Sequence, residues 1–173
     1  MKQERWDEFF MAMAYLVATQ SKDSSMHIGA VIVDDHHYVR SVGYNGLPGG
    51  ANESPSYRHI RPEKYHWYAH AERNAVCAAA AHGTAIRGCT MYTPGVPCTD
   101  CARDIIQSGI SRVVTHSQWD DDISPEEKGA NAWHEIANRS RTMFLECGVF
   151  WRQYDGIIRP ITTLKRGVPL DGI

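Results

Sequence analysis

The sequence predicts an α/β fold of three layers, in which helices cover both faces of a central mixed sheet of five strands. Two observations lead to this prediction. Segments of helical and of strand character alternate along the 173 residues, and 43% hydrophobic with 22% charged residues is an ordinary globular composition. A chain of this length corresponds to about one domain. We therefore expect residues 1–173 to form a single domain, with its core at about 4–155 and a tail at 158–173.

The first part of the chain predicts a helix, a hairpin and a long loop. Apolar residues recur with the helical period across residues 4–23. Two apolar runs, 28–33 and 38–44, flank a polar turn and predict an antiparallel β-hairpin. Residues 47–65 are rich in Gly, Pro, Ser, Arg and His without any period, so they predict a long loop of the kind that is often functional.

The rest of the chain alternates helices with strands. Helices are predicted at 69–83, 98–109 and 125–147, and strands at 88–93, 111–117 and 148–156. Glycines close the first two helices, and Pro125 suits the first turn of the third. Acidic residues at 118–124 predict a loop. The tail from Ile158 shows no repeat, and we expect part of it to be disordered.

Charge and cysteine content limit the functions that are open to this chain. A formal net charge of −2 gives no basic arm for nucleic acid, so no nucleic-acid partner is expected. The apolar run Phe9 to Ala18 is too short to span a bilayer, and the acidic residues before it disfavour a signal peptide. Five cysteines are an odd number for a disulfide framework. These features predict a cytoplasmic protein with no membrane partner.

Two short motifs carry the candidate chemistry, His70-Ala71-Glu72 and Pro97-Cys98-Thr99-Asp100-Cys101. His70, Cys98 and Cys101 offer three ligands, which is the number that a catalytic zinc uses. Both motifs fall at predicted helix starts, where the helix dipole favours thiolate. Glu72 can take a proton from water that zinc activates. A redox C-x-x-C pair and a structural zinc module are the alternatives. We expect the spare cysteines to be buried, namely Cys77, Cys89 and Cys147.

The two motifs together, in this order and with a proline before the first cysteine, resemble the zinc-dependent cytidine and deoxycytidylate deaminase family. H-x-E…P-C-x-x-C is the known signature of zinc-dependent base deaminases. The resemblance covers about residues 4–155 and implies hydrolytic deamination at carbon 4 of cytosine. It also implies one Zn²⁺ held by His70, Cys98 and Cys101, with Glu72 moving protons to ring nitrogen 3 and to the leaving ammonia.

Five longer segments narrow the resemblance to the deoxycytidylate (dCMP) deaminase branch: SKDSSMHIGAVIV, GYNGLPGG, HAERNA, GCTMYT and PCTDCARDIIQSGI. This branch converts dCMP to dUMP for dTMP synthesis. The resemblance implies substrate contacts at Asn45, Ala71 and Trp119, although Trp119 could equally be a core residue. It further implies a homo-oligomer, a hexamer in this family, activated by dCTP and inhibited by dTTP. The regulatory triphosphate, with Mg²⁺, is expected to contact Lys22, Gly43, Asn45, Gly46 and Asn74.

Several alternatives stay open at this point. The substrate phosphate could be bound by one of four cations in the long loop, namely Arg58, His59, Arg61 and Lys64. A tRNA adenosine deaminase shares the zinc motif, but polyanion binding usually needs a basic excess that this chain lacks. Deamination of dCTP, of a nucleoside or of a riboflavin precursor would use the same zinc chemistry. A non-catalytic zinc module would not need Glu72.

Overall fold

The computed structural model describes residues 2–121, 131–160, 163–165 and 168–170. Its main sheet is built from β1 (Gly29–Val33), β2 (Val39–Tyr44), β3 (Thr90–Tyr92), β4 (Arg112–His116) and β5 (Phe150–Tyr154). The strand order is β2-β1-β3-β4-β5. β1 runs antiparallel to β2 and β3, whereas β3, β4 and β5 run parallel to one another. The predicted mixed sheet of five strands and the predicted hairpin are both confirmed.

Six α-helices lie in the described part of the chain: α1 (Lys2–Ala18), α2 (Lys64–Trp67), α3 (Ala71–Ala81), α4 (Thr99–Gln107), α5 (Ser117–Asp121) and α6 (Asn131–Glu146). The helix α1 packs against one face of the sheet, and α3, α4 and α6 form a layer on the other face. The strand β1 shows the division clearly, because Val31 and Val33 pack with α1 while Ala30 and Ile32 pack with the other layer. The three-layer prediction is confirmed.

A glycine allows α3 to lie directly against the sheet. Gly43 in β2 faces the backbone of α3 at Ala71 and Ala75, and a Cβ atom there would collide with that backbone. Ser41, two residues earlier on the same face, donates a hydrogen bond of 2.7 Å to the Ala75 carbonyl. The first turn of α3 is therefore fixed relative to the end of β2.

The structure corrects two of the predicted loops and describes part of the tail. The predicted loop at 47–65 contains a 3₁₀ helix, Ser56–His59, and the start of α2. The predicted loop at 118–124 is helical up to Asp121, and residues 122–124 lie outside the described residues. All three of these helices are too short to show a helical period in the sequence. In the tail, Thr163–Lys165 pairs antiparallel with Val168–Leu170, and the expected partial disorder stays a prediction because residues 161–162, 166–167 and 171–173 lie outside the described residues.

Two further expectations concern the last helix and the spare cysteines. The helix predicted at 125–147 is helical from Asn131 to Glu146, while Pro125 lies outside the described residues. Cys89 is buried as expected, but Cys77 and Cys147 are exposed, so that prediction is wrong for both. Cys77 is exposed because α3 buries the face that carries Ala71, Ala75 and Ala79, and Cys77 does not lie on that face. No helix among the described residues is long and apolar enough to cross a membrane.

Candidate active site

The three predicted zinc ligands meet at one point of the molecule. The Nδ1 atom of His70 lies 3.4 Å from Sγ of Cys98 and 3.6 Å from Sγ of Cys101. A tetrahedral zinc with ordinary bond lengths places nitrogen and sulfur ligands about 3.5 Å apart. These donors form the one group of three possible metal ligands found in the described part of the chain, with all donor atoms within 4.8 Å. The donor set therefore fits a zinc ion with three protein ligands.

The ligands are placed by the starts of two helices. His70 is the N-cap residue of α3, and Cys98 is the N-cap residue of α4, where its sulfur accepts a hydrogen bond of 3.5 Å from the Cys101 amide. Cys101 lies in the first turn of α4, so its thiol returns beside that of Cys98. The helix dipole makes both N-termini partly positive, which favours thiolate and metal binding. The predicted placement of both motifs at helix starts is confirmed.

Hydrogen bonds between the ligands separate the pKa values of the two thiols. A hydrogen bond from the Cys101 thiol, opposed by burial and aided by His70, lowers the pKa of Cys98 to about 4. The same bond, together with burial, raises the pKa of Cys101. Hydrogen bonding to Cys98 raises the pKa of His70. The lowered pKa favours the thiolate form of Cys98, and Cys101 would release its proton when it binds a metal.

Glu72 is a buried carboxyl group beside these ligands, with 5% of its surface exposed. Burial raises its pKa, while the positive charge of His70 acts in the opposite direction. A raised pKa suits a group that must both accept and return a proton near neutral pH. Zinc held by the three ligands would act as a Lewis acid that lowers the pKa of water toward ~7. A role of Glu72 in moving the proton of that water stays a prediction.

Asn45 directly follows β2, and its side chain is used in hydrogen bonds within the protein. Its Oδ1 accepts a hydrogen bond of 2.8 Å from the Ile28 amide, and its Nδ2 donates one of 2.9 Å to the Met26 carbonyl. The next residue, Gly46, exchanges two backbone hydrogen bonds of 3.1 and 2.8 Å with Ala69, which precedes His70. The end of β2 therefore borders the zinc ligands, and a substrate contact by Asn45 stays a prediction.

Two other predicted substrate contacts also lie near the ligands. Ala71 is the first residue of α3 and is fully buried against Gly43. Trp119 in α5 is half-buried, and a Cβ atom at Gly95 would come within 2.8 Å of its indole ring. Because Gly95 belongs to the segment that leads into Cys98, Trp119 supports one side of the site. Substrate contact by either residue stays a prediction.

The amino-acid sequence was compared with families and with individual proteins. The model of the cytidine and deoxycytidylate deaminase zinc-binding region matches residues 4–117. The chain belongs to this deaminase family. It is 34% identical over 156 residues to the deoxycytidylate deaminase of Homo sapiens, with 86% of this chain and 79% of that protein covered. It is 38% identical over 145 residues to an uncharacterized deaminase in the luxG 3' region of Aliivibrio fischeri, with 84% and 90% covered.

Solved structures support the fold of this deaminase. The dCMP deaminase from cyanophage S-TIM5, in complex with dCMP and dUMP, matches with a TM-score of 0.64 and 22% identity, covering 84% of this chain and 94% of that one. A second match is a diaminohydroxyphosphoribosylaminopyrimidine deaminase and uracil reductase from Thermotoga maritima, with a TM-score of 0.60 and 23% identity. The match covers 88% of this chain and 37% of that one. At these identities the likeness shows a common fold.

The residues predicted to bind a regulatory nucleotide have several different partners in this deaminase. Lys22 is exposed and forms an ion pair of 2.6 Å with Glu53. Asn74 donates a hydrogen bond of 2.8 Å to the Tyr44 carbonyl. As described above, Gly43 packs against α3 and the Gly46 amide is bonded to a carbonyl. These two glycines thus have structural roles that do not require a phosphate, and the regulatory site stays a prediction.

The four cations of the long loop are also clearly distinguished by their surroundings. Arg58 stacks over the ring of Trp67 at 3.8 Å, and His59 uses both ring nitrogens in hydrogen bonds. Lys64 is buried in an ion pair, so it is not free to bind the substrate phosphate. Arg61 is exposed. Among these four residues, Arg61 is the cation most open to an incoming phosphate.

Sequence reasoning missed two groups that support this site. Asp23, interpreted only as the end of the first helix, is the buried partner of Lys64. His116 at the end of β4 is also buried, and it bonds the Tyr15 hydroxyl at 2.7 Å. Its backbone amide donates to the carbonyl of Pro94, four residues before Cys98. No local sequence signal could have found them, because each partner lies far away along the chain.

Proposed function

We propose that this chain is a zinc-dependent hydrolase that converts dCMP and water into dUMP and ammonia. The observation that carries the proposal is a buried carboxyl group, Glu72, directly beside a His–Cys–Cys donor set. Its substrate is inferred from relatives named deoxycytidylate deaminase, which are 34–35% identical over most of the chain. The five free cysteines fit our placement of this single domain in the cytoplasm.

The proposed reaction uses Glu72 as a proton carrier. Water adds to carbon 4 of the cytosine ring, and Glu72 takes a proton from that water. The carboxyl group then delivers the proton to ring nitrogen 3. The remaining proton of the added water, which is on the hydroxyl group at carbon 4, goes to the exocyclic amino group. The bond from carbon 4 to that nitrogen breaks, and ammonia leaves. A buried carboxyl group whose pKa is raised by burial is suited to taking up and releasing a proton in both steps.

The decisive experiment compares four substrates on the zinc-loaded protein. Ammonia release is measured from dCMP, dCTP, deoxycytidine and a tRNA adenosine substrate at equal concentrations. We expect the largest kcat/KM for dCMP. A larger value for another substrate would reassign the specificity, and release from none of them would reject the enzymatic function.

The variant Glu72→Gln tests the role of the carboxyl group. It keeps the size of the side chain but cannot carry a proton, so we expect kcat to fall by about 10²–10⁴ with zinc still bound. Zinc content and thermal stability serve as controls. A decrease of less than about tenfold at full zinc occupancy would remove Glu72 from the mechanism.

Regulation and assembly are further parts of the proposal. We propose that the chain forms a homo-oligomer, a hexamer as in its family, which dCTP with Mg²⁺ activates and dTTP inhibits. Lys22 is the exposed cation among the proposed contacts. The variant Lys22→Ala should flatten the response of dCMP deamination to both nucleotides. Saturation curves of the unmodified protein that are hyperbolic and identical with and without each nucleotide would reject regulation.

A further inference from the structure

A buried ion pair lies in the segments that lead into the candidate active site. Nζ of Lys64 donates hydrogen bonds to both carboxylate oxygens of Asp23, at 2.9 and 2.7 Å, and to the hydroxyl of Ser25 at 2.6 Å. The exposed fractions of the two charged side chains are only 8% and 5%. All three protons of the ammonium group therefore have a partner, and the charges are shielded from water.

The same carboxylate holds the end of β2. Nδ2 of Asn45 approaches Asp23 at 3.4 Å, and the Asn45 carbonyl accepts a hydrogen bond of 2.8 Å from the Ser21 hydroxyl. Lys64 is the first residue of α2, whereas Asp23 follows α1 by five residues. The ion pair thus connects three segments that are distant in the sequence: the loop after α1, the end of β2 and α2.

These segments continue directly into the zinc ligands. The Tyr68 amide bonds the Lys64 carbonyl at 2.9 Å, and the next residue, Ala69, forms the two backbone hydrogen bonds with Gly46. His70 follows immediately. A shift of α2 would therefore be transmitted over a few residues of extended backbone to His70 and to the bordering end of β2.

We propose that Lys64 and Asp23 are positioning residues, whose ion pair holds α2 and the end of β2 in the arrangement that the substrate and His70 require. The pair touches neither the zinc ligands nor the proposed proton carrier. A hydrogen-bonded ion pair fixes both the distance between its two side chains and their relative orientation, because all of its hydrogen bonds form in one arrangement only. Apolar side chains of similar volume could fill the same space without that restriction.

Two measurements test the proposal, and only the second rests on the proposed function. Hydrogen exchange of the Gly46 and Ala69 amides reports whether the ion pair holds the two segments together. We expect Lys64→Met to speed this exchange about tenfold. The KM for dCMP reports the consequence for substrate binding. We expect it to rise about tenfold in Lys64→Met, with zinc still bound, because misplaced contacts weaken binding.

A second ion pair provides the matched control. Arg152 bonds both carboxylate oxygens of buried Asp7 at 2.7 Å, and this pair joins β5 to α1, away from the segments that enter His70. Arg152→Met should lower the stability of the fold without changing KM or local exchange. KM does not depend on the folded fraction, so a purely structural effect cannot imitate the expected result. Lys64→Arg keeps the positive charge, so its exchange rate and its KM should be closer to those of the unmodified protein than the values of Lys64→Met.

The outcomes separate the two proposals. Unchanged exchange and an unchanged KM in folded Lys64→Met would overturn the positioning role. If that variant does not fold, Asp23→Asn takes its place. We expect smaller increases in exchange rate and in KM for it, and unchanged values of both would overturn the positioning role. If the unmodified protein does not deaminate dCMP, the proposed function fails, and the exchange measurement still decides the role of the ion pair.

Discussion

The contact between Gly43 and α3 gives a quantitative test of the architecture that carries the site. A methyl group in Gly43→Ala would meet the backbone of Ala71 and Ala75, which cannot turn aside as a flexible side chain could. Forcing extra volume into such a contact costs about 1–3 kcal/mol, and a rigid backbone places the cost near the upper end. Alanine also lowers the conformational entropy of the unfolded chain relative to glycine, and this stabilises the folded state by about 0.4–1 kcal/mol.

The net loss expected for Gly43→Ala is about 2 kcal/mol, or about 4–8 °C in Tm for a domain of this size. Thermal unfolding followed by circular dichroism measures it. Gly49→Ala is the control, since no atom lies within 4 Å of a Cβ at that position and no loss is expected. Equal melting temperatures for the two variants would refute the close approach of α3 to β2.

Two other expected outcomes concern the metal and the effect of pH. Cys98→Ser should lose most of its zinc, because a hydroxyl stays protonated and is a poorer ligand than thiolate; full zinc content and activity would contradict the ligand assignment. Burial acts to raise the pKa of Asp23, but hydrogen bonds from Lys64 and Ser25 outweigh it and keep that pKa below its usual value. The ionised carboxylate therefore stabilises the fold above about pH 4, and this contribution is lost as the pH falls through the lowered pKa. The free energy of unfolding, measured in urea between about pH 5 and 2, should fall less steeply toward acid in Asp23→Asn than in the unmodified protein. An equal dependence of this free energy on pH in the two proteins would argue against the ion pair.

Much of the site could be predicted because its signals are local. His70 and Cys98 lie at helix starts, and a helix start is marked by the residues on either side of it. The spacing of Cys98 and Cys101 places two thiols within one helical turn. The mixed sheet followed from the alternation of elements, since a hairpin followed by strand–helix units has few possible arrangements.

The exposed side of α3 illustrates why other features could not be predicted. The helix buries Ala71, Ala75 and Ala79, but its exposed face also carries alanines, Ala80 and Ala81. An alanine-rich helix has no contrast between its faces, so the sequence does not indicate which side of it meets the sheet. The exposure of the cysteine in this helix could not be recognised for the same reason.

The accuracy required of a metal site explains why its supports are spread over the fold. A ligand must be held within about 0.5 Å of its productive position. His70 cannot meet this requirement alone, because it is an exposed residue at the end of a helix with no side-chain cap. The segment before it is fixed by Gly46 and by the buried pair of Lys64 with Asp23, and the helix after it is fixed by the absence of a side chain at Gly43. Hence a glycine in a strand and an ion pair between a loop and the helix α2 help to place one imidazole, although none of these residues touches the metal ligands.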